Sequence, residues 1–162
     1  MNTEARSAGN QNPAQGWTIR PMTVADIPAV RELWRATPGV GTSPSDSVEG
    51  LSGFLARNPQ LSQVAESERG RLIGAVLCGH DGIRGFLRHL AVAVDCRAQG
   101  VGRGLVDRCL DGLSALGLYK CTIFVFADNP GGRGFWEHTG WIDRSDLQVM
   151  QMVLVPKDGP AG

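Results

Sequence analysis

Alternating and helical patterns of apolar residues predict the elements of the first third of the chain. Trp17 to Arg20 alternates apolar and polar residues, which predicts a short strand. Thr23 precedes apolar residues at helical spacing, so it can serve as the N-cap of an amphipathic helix. A second helix is predicted over residues 48–58, because Pro59 pushes the residue before it out of the helical region. The intervening residues 37–47, TPGVGTSPSDS, have the composition of a loop.

The middle of the chain predicts strands that lead into a longer helix. Leu61 to Glu66 and Arg71 to Cys78 flank the turn Ser67 to Gly70, so we expect an antiparallel hairpin. The strand predicted from Gly85 to Val94 becomes continuously apolar towards its end, which is typical of burial on both faces. An apolar stripe then predicts a helix that begins at Val101 and stops at Gly117.

The last third predicts a strand, a glycine-containing helix and closing strands. Leu118 to Ala127 is strongly β-prone, and Asn129 followed by Pro130 has the pattern of an N-cap and a first helical residue. The three glycines inside that helix cost roughly 1 kcal/mol each relative to alanine. They favour either close backbone approach to a ligand or a frayed helix. Residues 141–144 and 147–154 are predicted as the final strands, which completes a mixed sheet with helices packed on it.

Length and charge narrow the class of protein. A chain of 162 residues has the size of one domain, which we place at residues 17–155, after a disordered leader over 1–16 and before a tail over 156–162. Lys and Arg total 16, as do Asp and Glu, and the absence of a basic block argues against nucleic acid as a partner. No apolar run approaches the roughly 20 residues of a membrane helix. We therefore expect a soluble, cytoplasmic protein that does not bind membranes.

The cysteines and histidines show no spacing typical of a disulfide framework or a metal site. The four cysteines stand singly in predicted strands, a turn and a helix, and the chain begins without a secretion signal. We expect reduced thiols, several of them small core residues. The three histidines are scattered, so we predict no metal. The cysteines are Cys78, Cys96, Cys109 and Cys121.

The stretch from Leu90 to Leu105, LAVAVDCRAQGVGRGL, carries the clearest functional signal. An apolar strand runs into a glycine-spaced turn at the head of a helix, where backbone N–H groups and the positive end of the helix dipole converge. This arrangement favours a phosphate-bearing ligand. A P-loop is excluded because no Gly-Lys pair is followed by Ser or Thr, and a dinucleotide fingerprint is weak because its sixth position falls on Leu105 or Asp107.

Arg97, Gly100 and Gly102 instead fit the pattern R-x-x-G-x-G. The segment resembles the acetyl-CoA pyrophosphate loop of the GNAT superfamily of N-acetyltransferases, with Ala98 in place of a frequent glycine and Gly104 in place of a frequent alanine. The resemblance extends from IRPMTVADIPAVRELW to FWEHTGW and the closing strand, and within the superfamily the chain is similar to small stand-alone bacterial acetyltransferases. It implies an α/β (α+β) fold with a central mixed, mostly antiparallel sheet of about seven strands flanked by about four helices. A doubly wound nucleotide-binding domain is the remaining alternative.

The resemblance also implies where acetyl-CoA binds. The strand that reaches Val94 and the strand from Leu118 to Ala127 would splay apart, and the pantetheine arm would lie between them. A backbone amide near Val92 would polarise the thioester carbonyl. The pyrophosphate would take N–H groups between Gln99 and Gly104. The implied cofactor-binding residues are Leu90, Ala91, Val92, Arg97, Ala98, Gln99, Gly100, Val101, Gly102, Arg103, Gly104, Asn129, Gly132, Phe135 and Trp136.

Several of these residues have a second, plain interpretation, and no catalytic residue is assigned. Arg103 is equally a solvated surface charge. Asn129 is a helix N-cap by its position, and this role is compatible with a hydrogen bond to the pantetheine. Where the family often carries a tyrosine that protonates the leaving thiolate, this chain has Trp136, whose indole is far too weak an acid. An imidazole is a suitable base, but His89 is also interpretable as a structural histidine. Strand alternation places it on the opposite face from Arg88.

We therefore predict an N-acetyltransferase that moves an acetyl group from acetyl-CoA to a primary amine of a small molecule or a protein. The alternative is a non-catalytic acyl-CoA-binding sensor or interaction module of the same fold, favoured by the missing tyrosine. Arg84 and Arg88 favour a carboxylate-bearing acceptor if they line the acceptor cleft, and are otherwise ordinary surface charges. A homodimer is compatible with the resemblance, since closing strands in such folds can pair between subunits.

Overall fold

The computed structural model describes residues 16–154, within which it has five strands and four α-helices. Short 3₁₀ turns precede the first two helices and follow the fourth strand. The predicted leader, apart from Gly16, and the predicted tail lie outside the described residues. In chain order the elements are β1 (Trp17–Pro21), α1 (Ile27–Arg35), α2 (Val48–Arg57), β2 (Gln63–Ser67), β3 (Leu72–His80), β4 (Gly85–Val92), α3 (Val101–Ala115), β5 (Cys121–Thr122) and α4 (Pro130–His138).

The chain divides into two compact units, one that extends up to Asn129 and one that starts at Pro130. In the first unit the strands form one sheet in the order β1-β2-β3-β4-β5. The pairs from β1 to β4 are antiparallel, including the predicted hairpin of β2 and β3, and β5 is parallel to β4. The predicted mixed, mostly antiparallel sheet is therefore confirmed.

Helices cover both faces of this sheet. Gly74 and Ala75 are consecutive in β3, so they point to opposite faces. A Cβ on Gly74 would meet Leu105 and Val101 of α3, whereas Ala75 belongs to an apolar cluster with Trp34 of α1. One layer of the core thus lies under α3 and the other under α1, and the turn at the head of α3 is held against the sheet.

Fewer strands form than the sequence predicts. The strand predicted over Leu118 to Ala127 pairs only at Cys121–Thr122, and residues 141–144 and 147–154 join no ladder within the described part of the chain. The predicted count of about seven strands is therefore corrected to five there. A β-prone sequence becomes a strand only where a neighbouring backbone supplies hydrogen-bond partners, and β5 diverges from β4 after two residue pairs.

Asp26 ties β1 to the turn that starts α1. Its two carboxylate oxygens accept hydrogen bonds of 2.8 Å from the Arg20 guanidinium, and one of them also accepts from the Thr23 N–H at 2.8 Å. Arg20 also donates to Glu66 of β2 at 2.9 Å. The Arg20 guanidinium keeps the pKa of Asp26 below its ordinary value, against the opposing effect of burial. The cluster therefore depends on an ionised Asp26.

We expect Asp26→Asn to lower the free energy of unfolding by about 1–2 kcal/mol at neutral pH, because charge-assisted bonds become neutral ones. The folded-state pKa lies below the unfolded-state pKa, so this stabilisation is fully present above the unfolded-state value and is lost as pH falls through the folded-state value. Urea titrations of both proteins, from neutral to acid pH, measure the difference. A difference that does not shrink on acidification would contradict this role for Asp26.

Candidate functional site

Strands β4 and β5 are paired at one end and separate at the other. β5 pairs with Gly85 and Phe86, and it makes no ladder with residues 87–92 of β4. On its other side, β4 stays paired with β3 as far as Val92. Beyond Phe86, β4 therefore has one edge that carries no partner strand among residues 16–154.

Backbone groups of β4 point into this opening. The Ala93 N–H donates to the Ile73 carbonyl on the β3 side at 2.8 Å, so the N–H and C=O of Val92 point the other way. Leu90, two residues earlier, has the same orientation by strand alternation. The Arg97 side chain reaches the Val92 carbonyl from the open side at 3.3 Å. The edge of β4 thus offers main-chain donors and acceptors to an extended ligand.

The turn after β4 places further N–H groups at the head of α3. Gly100 has a left-handed backbone with φ +82°, and Ala98 has φ +57°. The N–H of Gly104 donates to the Gly100 carbonyl at 2.9 Å as the first bond of the helix. The N–H groups of residues 101–103 therefore have no partner within the helix. Together with the helix dipole they form a position suited to an anion.

Three residues at the start of α3 that were predicted to bind the cofactor have surroundings that the fold itself explains. A Cβ on Gly104 would lie 2.9 Å from the Ile19 side chain, so this glycine lets α3 approach β1. Arg103 is exposed and lies 3.9 Å from Asp107, as expected for a solvated surface charge. Val101 is buried. The N–H groups of residues 101–103, rather than these side chains, therefore define the position suited to an anion.

Polar contacts to Asp95 hold the turn against the sheet. Arg71, just before β3, forms two hydrogen bonds to the Asp95 carboxylate at 2.7 and 2.8 Å, which lower the pKa of Asp95 to about 2. The Gln99 side chain donates to the Asp95 carbonyl at 3.3 Å. Asp95 is thus tied to the residue that precedes β3, and Gln99 closes the turn back onto Asp95.

The loop of residues 37–47 lies against the segment that follows β5. Gly39 is left-handed with φ +82°, and a Cβ there would come within 2.5 Å of the Asn129 side chain. A Cβ on Gly41 would come within 2.8 Å of the Phe126 ring. Glycines at these positions allow close contact, so the loop and the residue that precedes α4 border the same side of the first unit.

A histidine and an aspartate meet between this loop and β4. The Nε2 atom of His89 lies 2.9 Å from Oδ1 of Asp46, and both side chains are mostly buried, with exposed fractions of 20% and 12%. The His89 ring packs edge-on against Trp34 of α1, with 4.8 Å between ring centroids. The pair thus joins the loop after α1 to the strand with the open edge.

A bulge turns His89 towards α1. Ala75 and Leu77 are two residues apart in β3, but their partners in β4, Ala91 and Arg88, are three residues apart. The extra residue makes a β-bulge, in which His89 has φ +54°. Arg88 pairs with Leu77, which belongs to the same apolar cluster as Trp34, so Arg88 and His89 lie on one face. The expectation that alternation would separate them was wrong, because the bulge interrupts alternation at His89. The Arg88 guanidinium lies 5.9 Å from the centre of the exposed Phe124 ring.

The GHDG turn between β3 and β4 uses its polar residues locally. The Nδ1 atom of His80 accepts a hydrogen bond from the Gly82 N–H at 3.0 Å. Oδ1 of Asp81 accepts from the N–H groups of Ile83 and Arg84 at 2.8 and 2.7 Å, which lowers the pKa of Asp81. These two side chains therefore stabilise the turn, as their position in the sequence suggests.

The second unit holds the other predicted contact residues. Phe135, Trp136 and Trp141 form an edge-to-face series with ring centroids 5.0 and 4.9 Å apart. Gly132 lies in the first turn of α4, and the helix forms despite its glycines. The Trp136 indole, at the position where the family often has tyrosine, is thus part of an aromatic cluster.

The cysteines are free thiols, and the described residues show neither a metal cluster nor a membrane helix. Cys78 and Cys109 are buried, as expected for small core residues, and Cys96 and Cys121 are partly exposed. Burial raises the pKa of Cys121 to about 12. Among residues 16–154, no three His, Cys, Asp or Glu side chains come together as metal ligands. No helix in that range is long and apolar enough to cross a bilayer.

The family match and the similar curated proteins agree on one family of proteins. The chain matches the Acetyltransferase (GNAT) family over residues 27–141. It is 36% identical, over 119 residues, to a Pectobacterium atrosepticum protein named as an acetyltransferase, a match that covers 74% of this chain and 83% of the relative.

Solved structures share the fold at low sequence identity. Ard1 from Thermoplasma volcanium is similar with a TM-score of 0.69 and 19% identity, over 78% of this chain and 83% of that one. AAC(6')-Iy, solved with the bisubstrate analogue CoA-S-monomethyl-acetylneamine, has a TM-score of 0.68 and 16% identity, over 85% and 99%. The family match and the shared fold agree with the strand-turn-helix arrangement of the first unit. This chain belongs to the GNAT family of acetyltransferases.

Proposed function

We propose that this protein transfers an acetyl group from acetyl-CoA to a primary amine of a small molecule or a protein. One observation carries the proposal: the open edge of β4 runs directly into the turn whose N–H groups at residues 101–103 form an anion position. Acetyl-CoA has phosphates at one end and an amide-containing arm at the other. One molecule of acetyl-CoA can therefore occupy both the anion position and the open edge of β4. Membership of an acetyltransferase family supports the same ligand.

In the proposed complex the main chain holds the donor. The diphosphate takes the N–H groups of residues 101–103 and the helix dipole, with Arg97, Ala98 and Gln99 beside it. The pantetheine arm lies along β4 and pairs with Leu90 and Val92 as an added strand does. The thioester carbonyl, at the far end of the arm, then faces the N–H of Leu90 rather than an amide near Val92, the position that the resemblance implied. Negative charge develops on this carbonyl as the amine attacks. Asn129, Gly132, Phe135 and Trp136 stay predicted contacts, from the resemblance alone.

Deprotonation of the acceptor amine requires a catalytic group more than departure of the CoA thiolate does. An amine with a pKa of about 10 is almost entirely protonated at neutral pH, so a base must accept a proton before attack. The thiolate of CoA is a good leaving group, so it needs no strong acid beside it and takes its proton from solvent. We therefore propose that the chain works without the tyrosine that Trp136 replaces.

We place the acceptor between the loop of residues 37–47 and the open side of β4. Arg88 lies on the same face of β4 as His89, whose partner Asp46 belongs to this loop, and the Phe124 ring centre lies 5.9 Å from the Arg88 guanidinium. A guanidinium beside an aromatic ring suits an amine that also carries a carboxylate. Pairing of two copies through closing strands stays a prediction.

Isothermal titration calorimetry with acetyl-CoA tests the donor site. We expect Gly102→Glu to raise the dissociation constant by at least about 100-fold, because the carboxylate repels the diphosphate and blocks the helix N-terminus. Glutamate is a better helix former than glycine, so the variant should stay folded. Ser114→Glu is the matched control, since it adds the same charge at an exposed position near the other end of α3. Equal affinities for wild type and Gly102→Glu would contradict the donor site.

Release of free CoA thiol separates the proposed enzyme from the alternative acyl-CoA sensor. We would incubate the protein with acetyl-CoA and a panel of aliphatic amines, aminosugars, amino acids and short peptides. Amine-dependent thiol release supports acetyl transfer. Binding of acetyl-CoA without thiol release above the background for any amine would favour the sensor.

A further inference from the structure

We propose that His89, oriented by Asp46, accepts the proton that the acceptor ammonium loses before it attacks the thioester. The inference rests on the proposed acetyl transfer and assigns its missing base. In this assignment His89 is a catalytic residue and Asp46 is a positioning residue. Three observations support the assignment: the position of the bulge at His89 along β4, the hydrogen bond between the imidazole and the ionised Asp46 carboxylate, and the charged groups that surround the pair.

The bulge places His89 near the reactive end of the proposed donor. The phosphates bind at the head of α3, which follows the end of β4, so an arm laid along the edge of β4 runs from Val92 back towards Leu90 and His89. The thioester is at the end of CoA farthest from the diphosphate, so it lies on the side of the bulge. There the left-handed backbone of His89 directs its ring towards α1 and the loop of residues 37–47.

The contact with Asp46 sets which ring nitrogen carries the proton. Burial would raise the pKa of Asp46, but hydrogen bonds from the Ser43 N–H, at 2.6 Å, and from His89 outweigh it and keep the pKa low. An ionised carboxylate only accepts hydrogen bonds, so Nε2 of the neutral imidazole carries the hydrogen and Nδ1 keeps its lone pair. Within residues 16–154 no protein group is hydrogen-bonded to Nδ1. The free lone pair is the one that can accept a proton.

Among the charged groups around the ring, one carboxylate is in contact with it. Asp46 contacts it from the 3₁₀ turn before α2, and Trp34 contacts it from α1. The charged residues Glu32 and Arg35 of α1 are paired with each other on the exposed surface. On β4 the neighbouring Arg88 extends its guanidinium over Phe124. In the described part of the chain, the Asp46 carboxylate is therefore the charged group in contact with the imidazole.

All protons and bonds of the proposed acetyl transfer are accounted for. The ammonium R–NH₃⁺ gives one proton to Nδ1, and the resulting amine forms the N–C bond to the thioester carbonyl carbon. The tetrahedral adduct collapses with cleavage of the C–S bond. The nitrogen gives its second proton to solvent, and the thiolate takes one proton from solvent to become CoA–SH. The imidazolium then releases the first proton to solvent, which returns His89 to its neutral form.

His89→Asn, Asp46→Asn and the control His80→Asn test this assignment in the thiol-release assay. We expect His89→Asn to lower kcat with a strongly basic primary amine by roughly 100-fold, the scale of general-base catalysis, and Asp46→Asn by about 10-fold. Both variants should bind acetyl-CoA with nearly wild-type affinity, because the donor site is built from other groups. His80→Asn should keep wild-type kcat, since His80 serves the exposed turn. Asn at position 46 keeps an acceptor for the Ser43 N–H, which preserves the turn.

Two further readouts separate a base from a structural histidine. The acid limb of the pH–rate profile should disappear in His89→Asn. Hydroxylamine, a weakly basic nucleophile that is already unprotonated near neutral pH, should lose less than about 10-fold in rate in this variant, because it needs no proton removed before attack. A structural role would lower the rates of both nucleophiles alike and leave the limb in place, which would overturn the inference.

The outcome separates failure of the inference from failure of the proposed function. Wild-type protein that binds no acetyl-CoA overturns the proposed function and, with it, the assignment of His89. Binding and turnover with unchanged kcat in His89→Asn overturn the assignment alone. An amine panel that yields no acceptor favours the sensor and overturns the assignment together with the proposed function. Independently of turnover, ¹⁵N NMR of the imidazole in the wild-type protein should show the Nε2–H tautomer, and an Nδ1–H tautomer would overturn the assignment.

Discussion

Gly100→Val is expected to raise the dissociation constant for acetyl-CoA by at least about 100-fold. Valine is strained at the φ of +82° that Gly100 adopts, by roughly 1–3 kcal/mol. The chain relieves this strain by rotating the peptide units next to it, which turns the N–H groups of residues 101–103 away from a common point. Loss of two hydrogen bonds to a charged ligand, each about 1.5 kcal/mol or more, gives that factor. Calorimetry well below the unfolding temperature measures it.

Gly117→Val is the matched control at the other end of the same helix. Gly117 follows α3 with φ +78°, and a Cβ at either glycine meets nothing within 4 Å. Both variants therefore carry similar backbone strain without a steric clash, and we expect similar losses of unfolding free energy. Only Gly100→Val should lose affinity. Equal loss of affinity in both variants would show that strain in α3, rather than the turn itself, controls binding.

Gly50→Ala is expected to lower both stability and kcat, although alanine is normally the better helix residue. A Cβ on Gly50, in the first turn of α2, would overlap the backbone carbonyl oxygen of Ser45. Main chain cannot swing away as a flexible side chain can, so the 3₁₀ turn of Pro44–Asp46 must shift. We expect a loss of about 1–3 kcal/mol in unfolding free energy. The shift also draws Asp46 from His89, so kcat should fall by roughly 10-fold.

Gly53→Ala provides the control within α2. A Cβ there would meet only the Arg57 side chain, at 3.6 Å, which is ordinary contact. Helix propensity then dominates, and we expect a gain of about 1 kcal/mol with kcat unchanged. Urea titration and the thiol-release assay measure both quantities for the two variants. A Gly50→Ala protein that is as stable and active as Gly53→Ala would contradict the close packing of the turn on α2.

Much of the first unit follows from local sequence patterns. The strand at Trp17, the helix that ends before Pro59, the hairpin around Ser67 to Gly70 and the helix from Val101 all form where apolar periodicity, caps and turn residues place them. These signals agree because each describes interactions within a few residues. The glycine-spaced turn is predictable for the same reason, since its conformation is set by Gly100 and the helix behind it.

The parts that escaped prediction depend on pairing between distant residues. The bulge at His89 is a mismatch between the lengths of two paired strands, and alternation within β4 alone does not show it. A role for Asp46 does not follow from the sequence, because its partner is 43 residues away and its loop has little distinctive chemistry. One signal was present: Ser43 to Asp46 has the S-x-x-D pattern of a capping box, which fixes the direction of an aspartate at the start of a turn.

The free edge of β4 has a consequence for the solubility of the isolated protein. An unpaired strand edge is a template on which another polypeptide strand can add, and such edges promote aggregation. From Leu87 to Val92 this edge has no partner strand among residues 16–154. A pantetheine arm bound along it would cover the same donors and acceptors that an incoming strand would use. CoA in the buffer would then protect the protein against association during purification, in addition to the stabilisation that any ligand of the folded state provides.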